Sequence, residues 1–424
     1  MESSRENPSN FSRKRKLGFQ DLLLFILGGI TKTLTVELVG FFSSKGKSGD
    51  PISKQAFSKS RMNLRPESII ELNDTLLEEY YSMEHKLYKG HRLLAVDGSV
   101  IELPQGEEIR KVFGYKNNNP SFSNCGQSIC IYDVLNEIIV DSKLAKYGED
   151  ERSMLKEGAK RLIKGGKQRK DIIIADRGFP SLGVIFELAQ NGFDFVIRYT
   201  GGHFLKETLE FAKGDERDVE IVIDLREIRK RNKWSKYGAL FRDSVEKTVK
   251  VRLAKIDLGE GKTEFLITTL LDKELISLED LKIIYGFRWR GEESFKLQKG
   301  TAELENISGR SERTIYQDYY AKILMMNLHS IIIQDAEEEL NREIAEGKKK
   351  LKHENYKVNK NVSYGIIRPK LEDLLRVDSE DWSLVYDSLV KEVKRHIIPV
   401  KPGRSYPRRV KIKQKYYINR RRAN

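Results

Sequence analysis

Four residues of one predicted helix combine side-chain types that suit chemistry on a phosphate backbone. Tyr285, Arg288, Glu292 and Lys299 lie in the run LKIIYGFRWRGEESFKLQKG, at offsets of 3, 7 and 14 residues from the first. In a helix these offsets fall within roughly 60° of one another, along a stripe about 21 Å long. A carboxylate between cations on such a stripe favours a metal-dependent reaction. The alternative is a solvated helix face, because Arg288 and Glu292 also have i,i+4 salt-bridge spacing.

Two upstream aspartates could complete a metal site with Glu292. We expect Asp97 and Asp176 each at the C-terminal end of an apolar strand, in RLLAVDGS and KDIIIADRGF. The strands would hold both carboxylates rigidly, and the predicted helix could carry Glu292 to the same point. Three carboxylates without Cys or His suit Mg²⁺ or Mn²⁺, which prefer oxygen ligands. For Asp97 the alternative is a turn, since Asp-Gly is a common turn pair.

Together these motifs resemble those of the DDE transposases in the insertion-sequence-four family. The run 285–299 matches the YREK signature of that family, and its RW pair, Phe295 and Lys296 agree with the neighbouring positions. VDGS (96–99) resembles the first-Asp segment and ADRGF (175–179) resembles the second. The resemblance covers about residues 50–410, and three motifs in this order are highly specific.

The resemblance implies a fold and a set of site residues. The fold is α/β, a ribonuclease-H-like catalytic domain with a mixed sheet, a β-rich insertion and helical N-terminal and C-terminal regions. Asp97, Asp176 and Glu292 are implied as catalytic metal ligands for Mg²⁺ or Mn²⁺, with two ions in the site. The residues expected to hold transposon-end DNA near the scissile phosphate are Tyr285, Arg288, Lys296 and Lys299.

Two aromatic residues of the insertion are candidates for contact with a flipped base. Relatives that form a DNA hairpin place such a base against an aromatic side chain of this region. Phe265, just before LITTL, and Trp234 are the candidates here, although we favour core packing for Phe265. Gly291 departs from the family pattern, where a larger residue usually precedes the glutamate. A mid-helix glycine costs roughly 1 kcal/mol relative to alanine, and it would permit close approach of a strand.

The charge of the chain indicates a polyanionic partner. Its 424 residues include 77 Lys+Arg and 63 Asp+Glu, for a net charge of +14 and a pI near 9.4. A basic cluster, SRKRK, occupies 12–16, and ten cations without an acid lie between Lys401 and Asn424. Double-stranded DNA, both terminal inverted repeats and target, is the expected partner.

The cysteines and the apolar stretches favour the cytosol over a secreted or membrane setting. Cys125 and Cys130 give no zinc framework, and on a strand they would point to opposite faces, which disfavours a disulfide between them. The most apolar stretch, 17–42, is interrupted by charges and reads as one or two buried helices broken at Gly28-Gly29. We therefore expect a cytoplasmic, nucleoid-associated bacterial protein without a membrane contact.

Hydrophobic periodicity divides the chain into segments of different character. The run ISKQAFSKSRMNL (52–64) looks like a helix-turn-helix with Ser53 as N-cap, and its region offers Lys54, Lys59, Arg61 and Arg65 to phosphates. The predicted segments are a disordered basic leader (1–16), a helical DNA-binding region (17–90), the first part of the core (91–199), the β-rich insertion (200–272), the helix with the YREK signature (273–310), a helical region (311–397) and a basic tail (398–424).

The leading hypothesis is a cut-and-paste transposase that cleaves at inverted-repeat ends and transfers the freed strand. The family implies a homodimer in the synaptic complex. Two alternatives stay open: an inactive DNA-binding descendant, and a general metal-dependent nuclease of the same fold. A nucleotide-binding loop is excluded at GFFSSKGKS (40–48), because five residues separate the glycines where the motif needs four.

Overall fold

The computed structural model describes most of the chain in two compact units. The described ranges are 5–7, 9–12, 15–45, 51–118, 121–200, 205–231, 238–259, 261–348, 352–353, 355–376 and 379–400. The first unit comprises Met1–Leu77, Ile101–Gly126 and Lys296–Asn424, and the second comprises Glu78–Val100 and Gln127–Phe295. The base-contact candidate Trp234 and the basic tail beyond residue 400 lie outside the described residues.

The strands fall mainly in the middle of the chain. They are β1 (Arg92–Glu102), β2 (Tyr115–Asn118), β3 (Ser121–Asp133), β4 (Ile138–Lys146), β5 (Asp171–Ala175), β6 (Asp194–Tyr199), β7 (Asp218–Asp224), β8 (Thr248–Asp257), β9 (Thr263–Thr268), β10 (Tyr356–Val358) and β11 (Ile397–Pro399).

Helices dominate both ends of the described chain and alternate with strands between them. They are α1 (Phe19–Leu27), α2 (Leu34–Ser44), α3 (Lys54–Arg61), α4 (Glu67–Ser82), α5 (Glu107–Phe113), α6 (Glu151–Lys164), α7 (Leu182–Gln190), α8 (Lys206–Lys213), α9 (Leu225–Arg231), α10 (Gly238–Asp243), α11 (Leu278–Gly286), α12 (Arg288–Gly300), α13 (Glu312–Ala345), α14 (Lys360–Arg376) and α15 (Ser379–Lys394).

Nine of the described strands form one mixed sheet. Their order is β2-β3-β1-β5-β6-β9-β8-β7, with β4 paired to β3. The pairs β1–β5 and β5–β6 are parallel, whereas β6–β9, β9–β8 and β8–β7 are antiparallel. The inner order β4-β3-β1-β5-β6, with α6 before β5 and α7 before β6, is that of a ribonuclease-H-like fold. The predicted fold class, a mixed-sheet α/β domain with helical ends, is confirmed.

The central strands are apolar because helices cover them. All five residues of β5 (DIIIA) are buried, as expected for a parallel strand inside a sheet. Asp150 caps α6 through Ser153 N–H, Ser181 caps α7 through Val184 N–H, and α7 packs on β6. The consecutive strands β3 and β4 pair with each other, and Glu137 takes a positive φ of 55° between them. These packed layers fix the positions of the strand ends.

The segment predicted as a β-rich insertion extends the same sheet. It contains the strands β7, β8 and β9, and β9 joins the segment to β6 with Tyr199 opposite Phe265. Short helices α8, α9 and α10 lie between these strands in sequence. The residues of 200–272 that the structure describes therefore carry both strands and helices.

The N-terminal helices pack with α13 in an apolar cluster of the first unit. Leu22 and Phe25 of α1, Phe42 of α2 and Met325 of α13 belong to that cluster. The predicted break between α1 and α2 is confirmed, and Gly29 takes a positive φ of 72° there. Among the described residues, no helix is both long and apolar enough to cross a bilayer. No disulfide joins Cys125 and Cys130, as predicted.

One predicted phosphate-binding residue is buried instead. Ser53 caps α3 by accepting from Ala56 N–H at 3.1 Å, which confirms the predicted N-cap. Arg61, at the end of α3, is only 3% exposed and forms an ion pair with Asp318 of α13 at 2.6 Å. It also donates to Gln317 Oε1 at 2.6 Å. The prediction that Arg61 is available to DNA is therefore wrong, because a cation on a short basic helix can also serve as a buried anchor.

Candidate catalytic centre

Adjacent parallel strands position the two aspartates side by side. Ala95 of β1 pairs with Ile174 of β5, and Asp97 and Asp176 each follow two residues later. Neighbouring strands are about 4.8 Å apart, so the two aspartate backbones are neighbours. Asp176 directly follows β5, as predicted. Asp97 lies in the middle of β1, so the prediction of a strand end and a turn at Asp97-Gly98 is wrong.

Gly98 has a steric role that the sequence did not reveal. A Cβ atom on Gly98 would lie 2.0 Å from Oε1 of Glu151, so the glutamate carboxylate rests directly on the glycine backbone. Glu151 lies in the first turn of α6, and its Oε1 accepts from Gln127 Nε2 at 2.8 Å. The glycine is present because α6 packs this carboxylate against β1. Glu151 is a further acidic residue beside Asp97 that the sequence analysis missed.

The predicted single helix of the YREK signature is two helices. Ser277 caps α11, which ends at Gly286, and α12 begins at Arg288. Phe287 lies between them in the αR region, with φ −66° and ψ −15°. Tyr285 is thus on α11, and the prediction of one continuous helix is wrong. The sequence shows no proline here, and only the glycine at 286 hints at the break.

Close packing on β1 brings α12 to the aspartates. A Cβ atom on Gly291 would lie 3.3 Å from the Cβ of Ala95 and 3.9 Å from the Cβ of Asp97. The expectation that this glycine permits the approach of a strand is confirmed, and the strand is β1. This packing places Glu292, the next residue, near Asp97.

Arg288 connects two of the three candidate carboxylates. Its Nη1 donates to Glu292 Oε1 at 2.7 Å and lies 4.0 Å from Asp176 Oδ2. Arg288 is 5% exposed, and its Nε has no hydrogen-bond partner. A buried guanidinium with an unused N–H can donate to a further anion.

Tyr285 completes the contacts to Asp176. Its hydroxyl donates to Asp176 Oδ1 at 3.1 Å. Burial, and then the charge of Asp176, raise the pKa of Tyr285 well above its usual value. The phenol therefore stays protonated at neutral pH and acts as a donor.

Two further carboxylates lie close enough to Asp97 to affect its pKa. Burial, Glu292 and Glu151 raise the pKa of Asp97 to about 6, against the lowering effects of the Gly98 N–H and Arg288. A like charge acts in this way only at close range. The structure thus brings Asp97, Asp176, Glu292, Tyr285 and Arg288 together within the second unit.

These carboxylates have the chemistry of a magnesium site. As arranged, no three His, Cys, Asp or Glu side chains in the described ranges are close enough together to hold a metal ion. Arg288 is the direct partner of Glu292. The donor set of Asp97, Asp176 and Glu292 contains only carboxylate oxygens, which is the preference of Mg²⁺ and Mn²⁺. The side-chain types therefore suit the expected ions, whereas the present arrangement does not gather three of these side chains around one point.

Two residues of this cluster were missed by the sequence analysis. Arg198 of β6 places its Nη1 3.9 Å from Asp176 Oδ1 and 3.2 Å from Oε1 of Glu264, on β9. An arginine directly after the apolar residues FVI of this strand is the signal that could have revealed it. Glu264 gave no such signal, because its partner lies 66 positions away in a different segment.

Three further candidate residues lie apart from these contacts. Phe265 packs its ring 5.8 Å from that of Tyr199, and strand alternation puts it on the face opposite Glu264, which favours the packing role. Lys296 and Lys299 belong to the first unit. Lys296 is exposed, and Lys299 pairs with Glu305 at 3.3 Å.

Comparison with known proteins identifies the family. Residues 88–328, more than half of the chain, match the family described as "Transposase DDE domain". No curated protein matches the chain. A solved structure described as a cryo-EM structure of the piggyBac transposase synaptic complex with hairpin DNA is similar over 91% of this chain and 76% of that chain, at 10% identity and a TM-score of 0.39. That likeness is too weak to support an argument about activity. The chain belongs to the transposase DDE domain family.

Proposed function

We propose that this chain is a transposase that cleaves DNA at inverted-repeat ends and transfers the freed strand to a target. The observation that carries the proposal is the position of Arg288, which binds Glu292 at 2.7 Å and lies 4.0 Å from Asp176. Asp176, at a strand end, and Glu292, on a helix, thus both lie near the buried Arg288 guanidinium. This arrangement supports phosphoryl transfer, in which cations and acids must be fixed around one phosphorus.

In this proposal the three acids hold divalent cations. Asp97, Asp176 and Glu292 would bind Mg²⁺ or Mn²⁺, with two ions in the site. Bound there, the cations would supply Lewis acidity toward the phosphodiester and toward the attacking oxygen. The protein contributes rigidity, because a central strand holds Asp97 and the packing of Gly291 on Ala95 holds Glu292.

The other side chains of the signature would position the DNA. The Nε of Arg288 has no hydrogen-bond partner, and the planar guanidinium can bind a phosphate in bidentate fashion. Tyr285 fixes the orientation of Asp176 through its hydroxyl. Lys296 and Lys299 would act as point charges along the backbone, so that end binding weakens as salt rises.

Two copies of the chain would hold the two ends of the element in a homodimeric synaptic complex. A single set of Asp97, Asp176 and Glu292 can act on one end at a time, so a second end needs a second copy. The net charge of +14 supports the binding of several DNA segments by such an assembly.

A cleavage assay on matched duplexes tests the proposal. The full-length protein is incubated with a duplex carrying the inverted repeat that flanks its gene, and with a scrambled duplex, in Mg²⁺ and in EDTA. We expect Mg²⁺-dependent nicking at the repeat boundary only, followed by joining of the new 3′ end to a target. Binding without nicking would indicate an inactive descendant. Nicking of both duplexes alike would indicate a general nuclease, and either result would contradict the proposal.

A further inference from the structure

Each of the two arginines next to Asp176 is held by a glutamate. Arg288 binds Glu292 at 2.7 Å and lies 4.0 Å from Asp176 Oδ2. Arg198 lies 3.2 Å from Glu264 and 3.9 Å from Asp176 Oδ1. Charge-assisted hydrogen bonds between arginine and carboxylate are about 2.7–2.9 Å long. Each oxygen of Asp176 therefore has a guanidinium within ion-pair range, at 3.9 or 4.0 Å, which is too far for a direct hydrogen bond.

The sheet explains how Glu264 reaches Arg198. Ala175 pairs with Ile197, so Asp176 lies beside Arg198 across the parallel strands β5 and β6. Arg198 pairs with Leu266 of the antiparallel strand β9, and Glu264 is two residues from Leu266, on the same face. Asp176, Arg198 and Glu264 thus form a row across three strands. The row begins at the candidate catalytic centre and ends in the segment predicted as an insertion.

Glu264 is well placed to compete for this arginine. Its side chain is 15% exposed and that of Arg198 is 32% exposed, so solvent screens the pair only partly. Arg198 has a long side chain that can shift by an ångström without moving its strand. With no carboxylate at position 264, the nearest acid to Arg198 would be Asp176.

We propose that Glu264 is a positioning residue that holds Arg198 away from Asp176 and so keeps this guanidinium from competing with a divalent cation for the Asp176 carboxylate. The inference rests on the proposed function, in which Asp176 is a metal ligand. Loss of Glu264 lets Arg198 close on Asp176 and form a direct ion pair. A cation must then displace that guanidinium before it can bind.

Calorimetric titration of the full-length protein with Mn²⁺, without DNA, measures this effect directly. We expect Glu264→Gln to weaken Mn²⁺ affinity about fivefold, the size allowed by a partly exposed ion pair. Adding Arg198→Met to the Glu264→Gln variant should restore the Mn²⁺ affinity, because the competing guanidinium is then gone. Glu220→Gln is the matched control, since Glu220 pairs with Lys250 at 2.6 Å elsewhere in the same sheet and loses the same charge.

The outcomes separate this inference from the proposed function. Wild-type affinity in Glu264→Gln, together with loss of affinity in Asp176→Asn, would overturn the inference and leave the proposed function standing. Weak binding that Arg198→Met does not restore would also overturn it, since a general effect on folding or charge would then explain the loss. Unchanged affinity in Asp176→Asn would overturn both.

Discussion

Gly291 of α12 packs tightly on Ala95 of β1, since a Cβ atom on the glycine would lie 3.3 Å from that of the alanine, and one of the two would have to shift by a few tenths of an ångström. This contact sets the distance between the helix that carries Glu292 and the strand that carries Asp97. It also gives a physical reason for a glycine inside a helix, where it otherwise costs roughly 1 kcal/mol relative to alanine.

We predict that Gly291→Ala reduces cleavage more than it reduces stability. The helix gains intrinsic propensity, which offsets the tight contact, but α12 must move a few tenths of an ångström and take Glu292 with it. We expect a loss of about tenfold or more in single-turnover cleavage, the scale seen for small misplacements of reacting groups. Gly286→Ala is the control, because nothing lies within 4 Å of its added Cβ. Restoration of cleavage by Ala95→Gly would confirm the contact as the cause, and full activity of Gly291→Ala would contradict it.

We predict that Gly98→Ala destabilises the fold through Glu151. The new methyl group would collide with the Glu151 carboxylate, which is the mobile end of a side chain and can swing away. The hydrogen bond from Gln127 is then lost, at a cost of about 1 kcal/mol. Denaturant unfolding measures the change. In a Glu151→Ala background the same substitution should cost almost nothing, and an equal cost in both backgrounds would rule out this explanation.

We predict that Arg61 contributes to folding rather than to DNA binding. Arg61→Ala leaves Asp318 buried without its cation, and a broken buried pair costs about 3–5 kcal/mol. Lys59→Ala, on the exposed face of the same helix, should leave the free energy of unfolding unchanged. Equilibrium unfolding in urea separates the two. A fully stable Arg61→Ala variant would mean that Arg61 does not anchor α3 to α13.

We predict a pH-dependent effect at Glu102. Burial, and then the charge of Glu305, raise the pKa of Glu102 from 4.5 to about 7. The stability that the neutral acid contributes is complete below about pH 4.5 and is lost as pH rises through 7. Glu102→Gln stays neutral, so its melting temperature relative to wild type should rise between pH 5 and pH 8. Glu108→Gln, on the exposed face of α5, controls for the lost charge. A difference that stays flat with pH would contradict the assignment.

Regular patterns made much of the fold predictable. Apolar runs located the strands around Asp97 and Asp176, and Ser53 located the start of α3. The order of the predicted strands and helices along the chain then indicated an α/β domain with a mixed sheet. The strand end at Asp176 and the break at Gly28-Gly29 were predictable for the same reason, since local residue types determine both.

Contacts between distant segments were not predictable. Asp97-Gly98 has the composition of a turn, yet the strand continues because the glycine accommodates Glu151. Arg61 has the spacing of a DNA-binding residue, yet Asp318, 257 positions away, binds it. Glu264 joins the candidate centre only through the pairing of β9 with β6. In each case the partner that decides the role lies far away in sequence.

Single-turnover cleavage by a matched pair of variants tests the central claim most directly. Glu292→Gln and Glu293→Gln remove the same charge from neighbouring positions of α12, but only Glu292 contacts Arg288. On a duplex carrying the inverted repeat in Mg²⁺, we predict that Glu292→Gln, like Asp97→Asn and Asp176→Asn, cleaves roughly a thousandfold or more slowly, with end binding retained. Glu293→Gln should cleave at close to the wild-type rate. Wild-type cleavage by Glu292→Gln would contradict the account.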